Sequence, residues 1–259
     1  MKNFVAKSCV VLLSCAVSIG IAIASPVKIG VAAEPSPPFF SPDSTGKWSG
    51  WEIDFIEAVC AQEKLQCEIV PVSWDGLIPA LTTGKIDLIV ASMFITKDRK
   101  KIIDFSDKYY ESPPAIVGQK DQKFDATTAG LSGKVIGVQV STKHGVYAKK
   151  HFTKSEVKEY QTVDERNQDL SSGRIDAALD NLFLLQDYLK TDSGKACCEI
   201  KSGFIPDPDV YGEGVGAGMR KGDTDLKNKI NDGIKTLRAN GKYAEITKKY
   251  FSFDIYGAH

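Results

Sequence analysis

Two short segments of this chain repeat each other, and the repeat constrains the fold more than any other feature of the sequence. Thr82-Thr83-Gly84-Lys85-Ile86-Asp87 is echoed by Ser171-Ser172-Gly173-Arg174-Ile175-Asp176, and further upstream Ile29-Gly30-Val31 is echoed by Ile136-Gly137-Val138. In both longer segments the pattern predicts a helix that ends at the glycine and a short apolar strand that follows it. One echo could arise by chance, but two in the same order predict two lobes of like construction.

The segments around these repeats alternate between strand and helix patterns, which is typical of an α/β fold. Apolar runs predict strands over residues 27–33, 67–72, 86–90 and 135–140. Helical spacing predicts helices over residues 51–62 and 76–82, the second of them capped by Asp75.

Prolines mark the points where the chain would pass between the lobes. Pro113 and Pro114 stand at the first handover, and Pro206 and Pro208 stand at the return. We therefore predict one lobe from residues 25–112 and 209–259, and a second lobe from residues 113–208.

The N-terminus has the pattern of a cleaved export signal. Lys2 and Lys7 precede an uncharged stretch, and Ala22-Ile23-Ala24 matches a signal-peptidase site. A transmembrane anchor is the alternative, but the stretch is short of the roughly 20 strongly apolar residues that span a bilayer. Lipidation at Cys15 is a weaker alternative, because the apolar run continues past it. We expect residues 1–24 to be a signal peptide.

Composition excludes several classes of protein. The 259 residues include 33 basic and 33 acidic residues, with 42% hydrophobic and 25% charged. This balance is typical of a globular protein rather than a disordered chain or a strongly basic nucleic-acid binder. Loss of the signal would remove two lysines and leave a formal charge of −2. We therefore expect a mildly acidic exported protein with no nucleic-acid partner.

Four cysteines remain in the mature chain, and their pairing is open at this point. Three fully paired connectivities are possible, and an oxidising compartment favours disulfides. Cys60 ends a predicted helix and Cys67 opens a predicted strand, so a local bridge between them is geometrically sensible. The adjacent Cys197 and Cys198 are either reduced or joined in an uncommon vicinal bridge. Neither pair has the Cys-x-x-Cys spacing of a zinc site, and we expect no metal.

A cleft between the lobes is the predicted site. Ligands of open α/β sheets bind beyond the carboxyl ends of the strands. Ser92 and Asn181 occupy equivalent places there, each eight residues after the glycine of its repeat. Two lobes that face each other across such strand ends would enclose a small molecule.

Arg99 is the sharpest single signal in this region. With Thr96 as the N-cap, Arg99 takes the third helical position, where Glu or Gln is preferred and a cation opposes the helix dipole. This unfavourable choice beside a cleft predicts a forked clamp on a carboxylate. The alternative is a solvated arginine in the basic run over residues 97–101.

The remaining candidates near the cleft are less specific. Trp74 is either core or an amphipathic wall for a ligand. Ser141-Thr142-Lys143 follows a strand and would present backbone N–H groups at a helix start, where anions bind. His144 and His151 are expected to face solvent rather than to bind metal. No hydrolase, nucleotide-loop or zinc-protease motif is present, so we predict no catalytic residues.

Several motifs together resemble the polar amino-acid-binding proteins of bacterial ABC importers. They cover essentially the whole mature chain: Ala33-Glu34-Pro35-Ser36-Pro37-Pro38-Phe39, Gly50-Trp51-Glu52-Ile53-Asp54, Asp75-Gly76-Leu77-Ile78-Pro79-Ala80-Leu81, Ala91-Ser92-Met93-Phe94-Ile95-Thr96-Lys97-Asp98-Arg99 and Lys249-Tyr250-Phe251-Ser252-Phe253-Asp254. The resemblance implies two Rossmann-like lobes joined by two hinge strands, the type II periplasmic-binding-protein fold. It also implies a disulfide between Cys60 and Cys67, as in the lysine/arginine/histidine-binding members.

The resemblance also assigns roles in the cleft. It implies that Arg99, assisted by Thr142 and the backbone at Lys143, holds the α-carboxylate of an amino acid. Ser92 is expected at the α-ammonium, and Trp74 at a wall for the side chain.

Three departures from the family pattern bear on the ligand. Ser36 stands where many members have a tyrosine, Phe94 where many have a serine, and Asn181 where an aspartate usually pairs with the α-ammonium. This site would be roomier and less acidic, which predicts a larger ligand than lysine or arginine. Glu34 and Lys143 would then meet a second charged end, as in cystine.

We therefore expect the periplasmic solute-binding component of an ABC importer, with cystine or another large polar amino acid as ligand. The alternatives are a basic amino acid (arginine, lysine or histidine), an opine, and more remotely an enzyme like cyclohexadienyl dehydratase. The expected partners are the amino acid and a membrane permease, and we expect a monomer without cofactor. The ten residues expected to line the site are Glu34, Ser36, Trp74, Ala91, Ser92, Phe94, Arg99, Thr142, Lys143 and Asn181.

Overall fold

Two mixed β-sheets flanked by helices make up the described part of the chain, residues 25–257 of a computed structural model. The predicted signal peptide, residues 1–24, lies outside the described residues. No helix within residues 25–257 has both the length and the apolar character needed to cross a membrane.

Twelve strands and ten helices are described. The strands are β1 (Val27–Ala32), β2 (Ser41–Pro42), β3 (Trp48–Ser49), β4 (Cys67–Val72), β5 (Leu88–Ile89), β6 (Asp104–Tyr110), β7 (Pro114–Gln119), β8 (Val135–Gln139), β9 (Glu156–Tyr160), β10 (Ala177–Asn181), β11 (Cys198–Lys201) and β12 (Val215–Met219). The helices are α1 (Trp51–Gln62), α2 (Leu77–Thr82), α3 (Lys97–Ile102), α4 (Lys143–His151), α5 (Val163–Ser171), α6 (Leu182–Tyr188), α7 (Asp192–Cys197), α8 (Pro208–Tyr211), α9 (Thr224–Ala239) and α10 (Lys242–Lys248), and a 3-10 turn spans Trp74–Gly76.

The two five-stranded sheets have the same plan. The first has the strand order β4-β1-β5-β12-β6, in which β1 is parallel to β4 and β5, and β12 is antiparallel to β5 and β6. The second has the order β9-β8-β10-β7-β11, in which β8 is parallel to β9 and β10, and β7 is antiparallel to β10 and β11. The α/β fold with two similarly built lobes is therefore confirmed.

The chain passes between the sheets twice. Residues 111–113 connect β6 of the first sheet to β7 of the second, and residues 202–214, which include α8, lead back to β12. Both crossings lie at the prolines noted above. The bounds of the two lobes themselves stay a prediction.

The repeated sequence segments have the same structure in both lobes. Gly84 and Gly173 follow the C-terminal ends of α2 and α5 with φ of +75° and +74°, a conformation that glycine adopts without strain. The aspartate at the end of each repeat accepts a backbone N–H at the start of the neighbouring parallel strand. The distances are 3.0 Å from Asp87 to β1 and 2.8 Å from Asp176 to β8. The echo therefore encodes a helix stop and an anchor for a strand.

Two local predictions need correction. The strand predicted over residues 86–90 is shorter, since only Leu88–Ile89 pairs in the sheet. Asp75 is not a helix cap, because the 3-10 turn begins one residue before it and continues into α2. The backbone preceding α2 is therefore already helical at Asp75, whereas an N-cap residue requires a non-helical conformation.

One disulfide ties α1 to the first sheet, and a second lies between α7 and β11 of the second sheet. Trp51 of α1 is fully buried and stacks on Phe55, with 5.2 Å between the ring centroids. A disulfide joins Cys60 at the end of α1 to Cys67 at the start of β4, as predicted. Cys197 and Cys198 form the vicinal bridge that the sequence left as one of two alternatives.

Candidate functional site

A cavity lies beyond the carboxyl ends of strands from both sheets. Its lining includes residues that follow β1, β5 and β8 and the end of β10. All ten residues expected at the site line this one cavity: Glu34, Ser36, Trp74, Ala91, Ser92, Phe94, Arg99, Thr142, Lys143 and Asn181. The structure thus brings the predicted residues together, while their roles toward a ligand stay proposals.

Arg99 is held at the cleft by the start of α3. The Thr96 hydroxyl accepts the Arg99 backbone N–H at 3.4 Å, which confirms Thr96 as the N-cap. The guanidinium donates from Nη1 to the Phe94 carbonyl at 3.1 Å and from Nη2 to the Ser141 carbonyl of the second lobe at 3.5 Å. It also lies 5.5 Å from the centroid of the Trp74 ring.

The charge of Arg99 has no counter-charge in the described structure. Its side chain is only 7% exposed, yet no carboxylate among residues 25–257 lies within ion-pair distance of it. Burial lowers its pKa to about 10. Because a buried cation without an anion is costly, this site favours a ligand that supplies a carboxylate. The solvated alternative for Arg99 is excluded by its burial.

The start of α4 adds a second positive group on the same side of the cavity. Thr142 is the N-cap of α4, accepting the Gly145 backbone N–H at 3.3 Å, so N–H groups of the first turn remain for an anion. The Lys143 ammonium lies 3.7 Å from Asp98 of α3. Burial and the nearby charge of Arg99 lower the pKa of Lys143. Lys143 therefore belongs to the same end of the cavity as Arg99.

Glu34 and Trp74 form another part of the cavity wall. The Trp74 backbone N–H donates to the Glu34 carboxylate at 3.2 Å, and both side chains are half-buried. Glu34 has no ion-pair partner among the described residues. A cationic group placed here would meet the Glu34 carboxylate, while the Trp74 ring already lies 5.5 Å from the Arg99 guanidinium.

Ser92 is held in an unusual conformation by a fully buried carboxylate. Its φ is +55°, a left-handed value that non-glycine residues rarely adopt. The Ser92 backbone N–H and hydroxyl both donate to Glu52, at 2.8 and 2.9 Å, and the Tyr109 hydroxyl donates to Glu52 as well. Burial raises the pKa of Glu52 to about 7, although these three hydrogen bonds act to lower it.

The side-chain amide oxygen of Asn181 caps the N-terminus of α6. Its Oδ1 accepts the Phe183 backbone N–H at 2.8 Å at the start of α6, while its Nδ2 is buried without a partner. The hydroxyls of Tyr110 and Ser112 are also buried without partners. Because buried polar atoms are nearly always satisfied, a polar ligand group or water placed beside these three atoms would complete their hydrogen bonding.

A buried polar network supports the second-lobe wall. Arg166 pairs with Asp180, and His144 lies 3.4 Å from Asp180 and 3.3 Å from the Tyr211 hydroxyl. The prediction that His144 faces solvent is therefore wrong, since it is 5% exposed. Burial lowers the pKa of His144 to about 4, which outweighs the nearby Asp180 charge. Burial alone would raise the pKa of Asp180, but the Arg166 and His144 charges hold it below its ordinary value.

The other three members of the predicted set, Phe94, Ser36 and Ala91, have contacts within the protein. Phe94 packs its ring 5.3 Å from Tyr211 and 5.9 Å from His144, so it fills space between the lobes rather than widening the cavity. The Ser36 backbone N–H donates to the Phe40 carbonyl at 2.8 Å in the loop after β1. Ala91 is buried directly before Ser92.

Sequence reasoning missed the burial of two residues at the site, His144 in the cavity wall and Glu52 behind Ser92. Glu52 had a detectable signal, because it shares the helical spacing of Phe55, Ile56 and Val59 on the apolar face of α1. His144 had no such signal, since its partners Asp180 and Tyr211 are far away in sequence.

The arrangement suits the capture of a zwitterion. One end of the cavity carries the cations Arg99 and Lys143, and the cavity wall also includes the carboxylate of Glu34, which has no ion-pair partner among the described residues. No group of three or more His, Cys, Asp or Glu residues suited to a metal ion occurs within residues 25–257.

Comparisons with known proteins agree with this description. The chain is 42% identical over 237 residues to an L-arginine-binding protein of Pseudomonas aeruginosa, covering 90% of this chain and 91% of the relative. It is 36% identical to a histidine-binding periplasmic protein of Salmonella typhimurium, covering 90% and 91%. Among solved structures, an ancestral arginine-binding protein bound to glutamine superposes with a TM-score of 0.80 at 34% identity, covering 89% of this chain and 100% of the other.

These relatives are binding proteins for amino acids, and the match is not confined to one motif or one lobe. The model of the bacterial extracellular solute-binding proteins, family 3, matches residues 27–253. With two lobes of one plan, a cleft built from both and this extent of similarity, the chain belongs to the bacterial extracellular solute-binding proteins of family 3.

Proposed function

We propose that this protein is the periplasmic binding component of an ABC importer and that its ligand is a basic amino acid, with arginine the first candidate. The observation that carries the proposal is the buried guanidinium of Arg99 without a counter-charge. Two of its five N–H groups donate to carbonyls, which leaves three for the α-carboxylate of a ligand. The contact between Arg99 and the Ser141 carbonyl spans both lobes, so a bound carboxylate would stabilise the closed form.

The wall at Glu34 and Trp74 supports a cationic side chain on the ligand. A guanidinium or ammonium group there pairs with the half-buried Glu34 carboxylate, beside a Trp74 ring whose centroid also lies 5.5 Å from the Arg99 guanidinium. The α-ammonium would lie toward Ser92, in keeping with the family resemblance. The relatives described above are named for arginine and histidine, which also favours a basic ligand.

Cystine, the ligand first expected, is less well supported. A second amino-acid end would need a cation beside Glu34, and Lys143 was expected in that place. Lys143 instead lies near Arg99 and 3.7 Å from Asp98, so both cations serve one end of the cavity. Phe94 packs against Tyr211 and does not provide the extra room that a doubled amino acid needs.

The remaining parts of the proposal follow from this role. Ligand capture needs no catalytic residue, and we assign none. We propose that residues 1–24 direct export, that the lobes close as a monomer around the ligand, and that a membrane permease recognises the closed form.

The test is a thermal-shift screen of the mature protein, followed by calorimetry, with arginine, lysine, histidine, glutamine, cystine and an opine. We expect arginine to give the largest shift, since a ligand at 100 times its Kd stabilises by about 2.7 kcal/mol. Arg99→Met should remove the response to every amino acid. A shift with cystine alone, or undiminished arginine binding by Arg99→Met, would refute the proposal.

A further inference from the structure

Glu52 is a buried ionisable group that the binding scheme above does not use. It is 0% exposed, lies on α1 behind Ser92, and touches no lysine, arginine or histidine among residues 25–257. By contrast, the other buried carboxylate near the cavity, Asp180, is already paired with Arg166. Of the two buried carboxylates near the cavity, Glu52 is therefore the one whose charge is not balanced by a cationic side chain of the described residues.

The hydrogen bonds of Glu52 control what Ser92 presents to the cavity. When Glu52 is ionised, it accepts both the N–H and the hydroxyl of Ser92, so the lone pairs of the Ser92 oxygen face the ligand. When Glu52 is protonated on that side, its own O–H donates to the Ser92 oxygen, and the serine proton turns toward the cavity. An ammonium group has only donors, so it binds to the first arrangement and is opposed by the second.

Asn181 makes the binding of an α-ammonium depend more strongly on the charge of Glu52. An amide at this position supplies no negative charge to an α-ammonium, and its Oδ1 is already engaged with the Phe183 N–H. The compensating charge must come from elsewhere, and ionised Glu52 lies directly behind Ser92.

We propose that Glu52 is a positioning residue for the ligand: its ionised form orients Ser92 to accept the α-ammonium, so that amino-acid affinity follows the ionisation of Glu52. The groups that titrate and face Glu52 are Tyr109 and Tyr110 of β6, and burial followed by the Glu52 charge raises the pKa of both well above the ordinary value. Neither tyrosine ionises near neutral pH, which leaves Glu52 as the titrating member of this group.

The direction of the pH effect follows from the raised pKa. Burial places the pKa of Glu52 near 7 in the unliganded protein, and a bound ammonium favours the carboxylate. Arginine should therefore bind about tenfold more weakly at pH 6 than at pH 8, because only the ionised fraction is competent. Binding near pH 7 should release about half a proton.

Calorimetry of the mature protein with arginine, in buffers of different ionisation enthalpy from pH 6 to 8, measures both quantities. Glu52→Gln mimics the protonated carboxyl, because its amide N–H donates to the Ser92 oxygen. We expect it to bind about tenfold or more weakly at pH 8, to change less than about twofold with pH, and to release no proton. Glu52→Asp should restore proton release. Glu57→Gln on the exposed side of α1 and His151→Gln are the controls, and both should keep the wild-type profile.

The outcomes separate this inference from the proposed function on which it rests. If arginine binds but Glu52→Gln keeps the wild-type pH profile, or if the wild type releases no proton, Glu52 has no such role while the proposed function stands. If no amino acid binds at any pH, both fail. Should Glu52→Gln not fold, proton release by the wild type and by Glu52→Asp still decides the question.

Discussion

Two buried arginines of this protein offer a matched comparison between a ligand-binding residue and a residue that stabilises the fold. Arg99 lines the cavity without a carboxylate partner, whereas Arg166 is 1% exposed and paired with Asp180. Replacing each by methionine removes the charge but keeps an unbranched side chain. We expect opposite effects of the two substitutions on the stability of the unliganded protein.

The magnitudes follow from the surroundings of each guanidinium. Burial lowers the pKa of Arg99 from 12.5 to about 10, so at about 1.4 kcal/mol per pKa unit its charge costs about 3 kcal/mol at neutral pH. Arg99→Met removes that cost but leaves the Phe94 and Ser141 carbonyls without this donor, a loss of about 1 kcal/mol each. The unliganded variant should therefore be unchanged or stabilised by up to about 1 kcal/mol. Arg166→Met removes the ion-pair partner of the buried Asp180 carboxylate and should lower the free energy of unfolding by about 3–5 kcal/mol.

Ligand binding should show the reverse pattern. Arg99 is expected to bind the ligand carboxylate through two charge-assisted hydrogen bonds. Arg99→Met should therefore weaken the binding free energy of the ligand by about 3–6 kcal/mol, which is about a 10²- to 10⁴-fold rise in Kd. Urea denaturation without ligand at pH 8 gives the stabilities, and calorimetry with arginine gives the affinities. If Arg99→Met unfolds as easily as Arg166→Met, Arg99 is a structural residue and the assignment of the carboxylate site is wrong.

Two further predictions test the side-chain wall and the disulfide. Glu34→Gln exchanges a charge-assisted contact for a neutral one and should raise the Kd for arginine about tenfold while leaving glutamine binding nearly unchanged; equal losses for both ligands in calorimetry would place Glu34 outside the side-chain site. Replacing Cys60 and Cys67 together by serine opens a short loop and should lower the free energy of unfolding by about 2–3 kcal/mol. Urea denaturation under oxidising conditions measures this, and an unchanged midpoint would contradict it.

Sequence reasoning succeeded where the relevant signal is local. Gly84 and Gly173 stop helices by themselves, and the unfavourable helix position of Arg99 is visible from its distance to the N-cap Thr96. These features depend on a few consecutive residues. The fold class could therefore be predicted, whereas most residues of the cavity wall were expected from the family resemblance.

Features that depend on distant partners could not be predicted in the same way. The ionisation of Glu52 is set by burial and by Tyr109, which lies 57 residues away. The position of Lys143 at the Arg99 end depends on how α3 and α4 meet across the cleft, which the sequence does not reveal. The expectation of cystine relied on Lys143 meeting a second charged end of the ligand. Charge pairing between lobes is a tertiary property, so the ligand class was the weakest of the predictions.

The insertion of β12 into the middle of the first sheet has a consequence for the order in which the molecule is built. All strands of the second sheet lie within residues 114–201, so that sheet can form as soon as this stretch has been synthesised. The first sheet cannot close then, because β5 and β6 meet only through β12, which emerges about 100 residues after β6. In N-to-C synthesis the lobe that begins first is thus completed last, and the facing edges of β5 and β6 stay unpaired and open to wrong pairing during that interval.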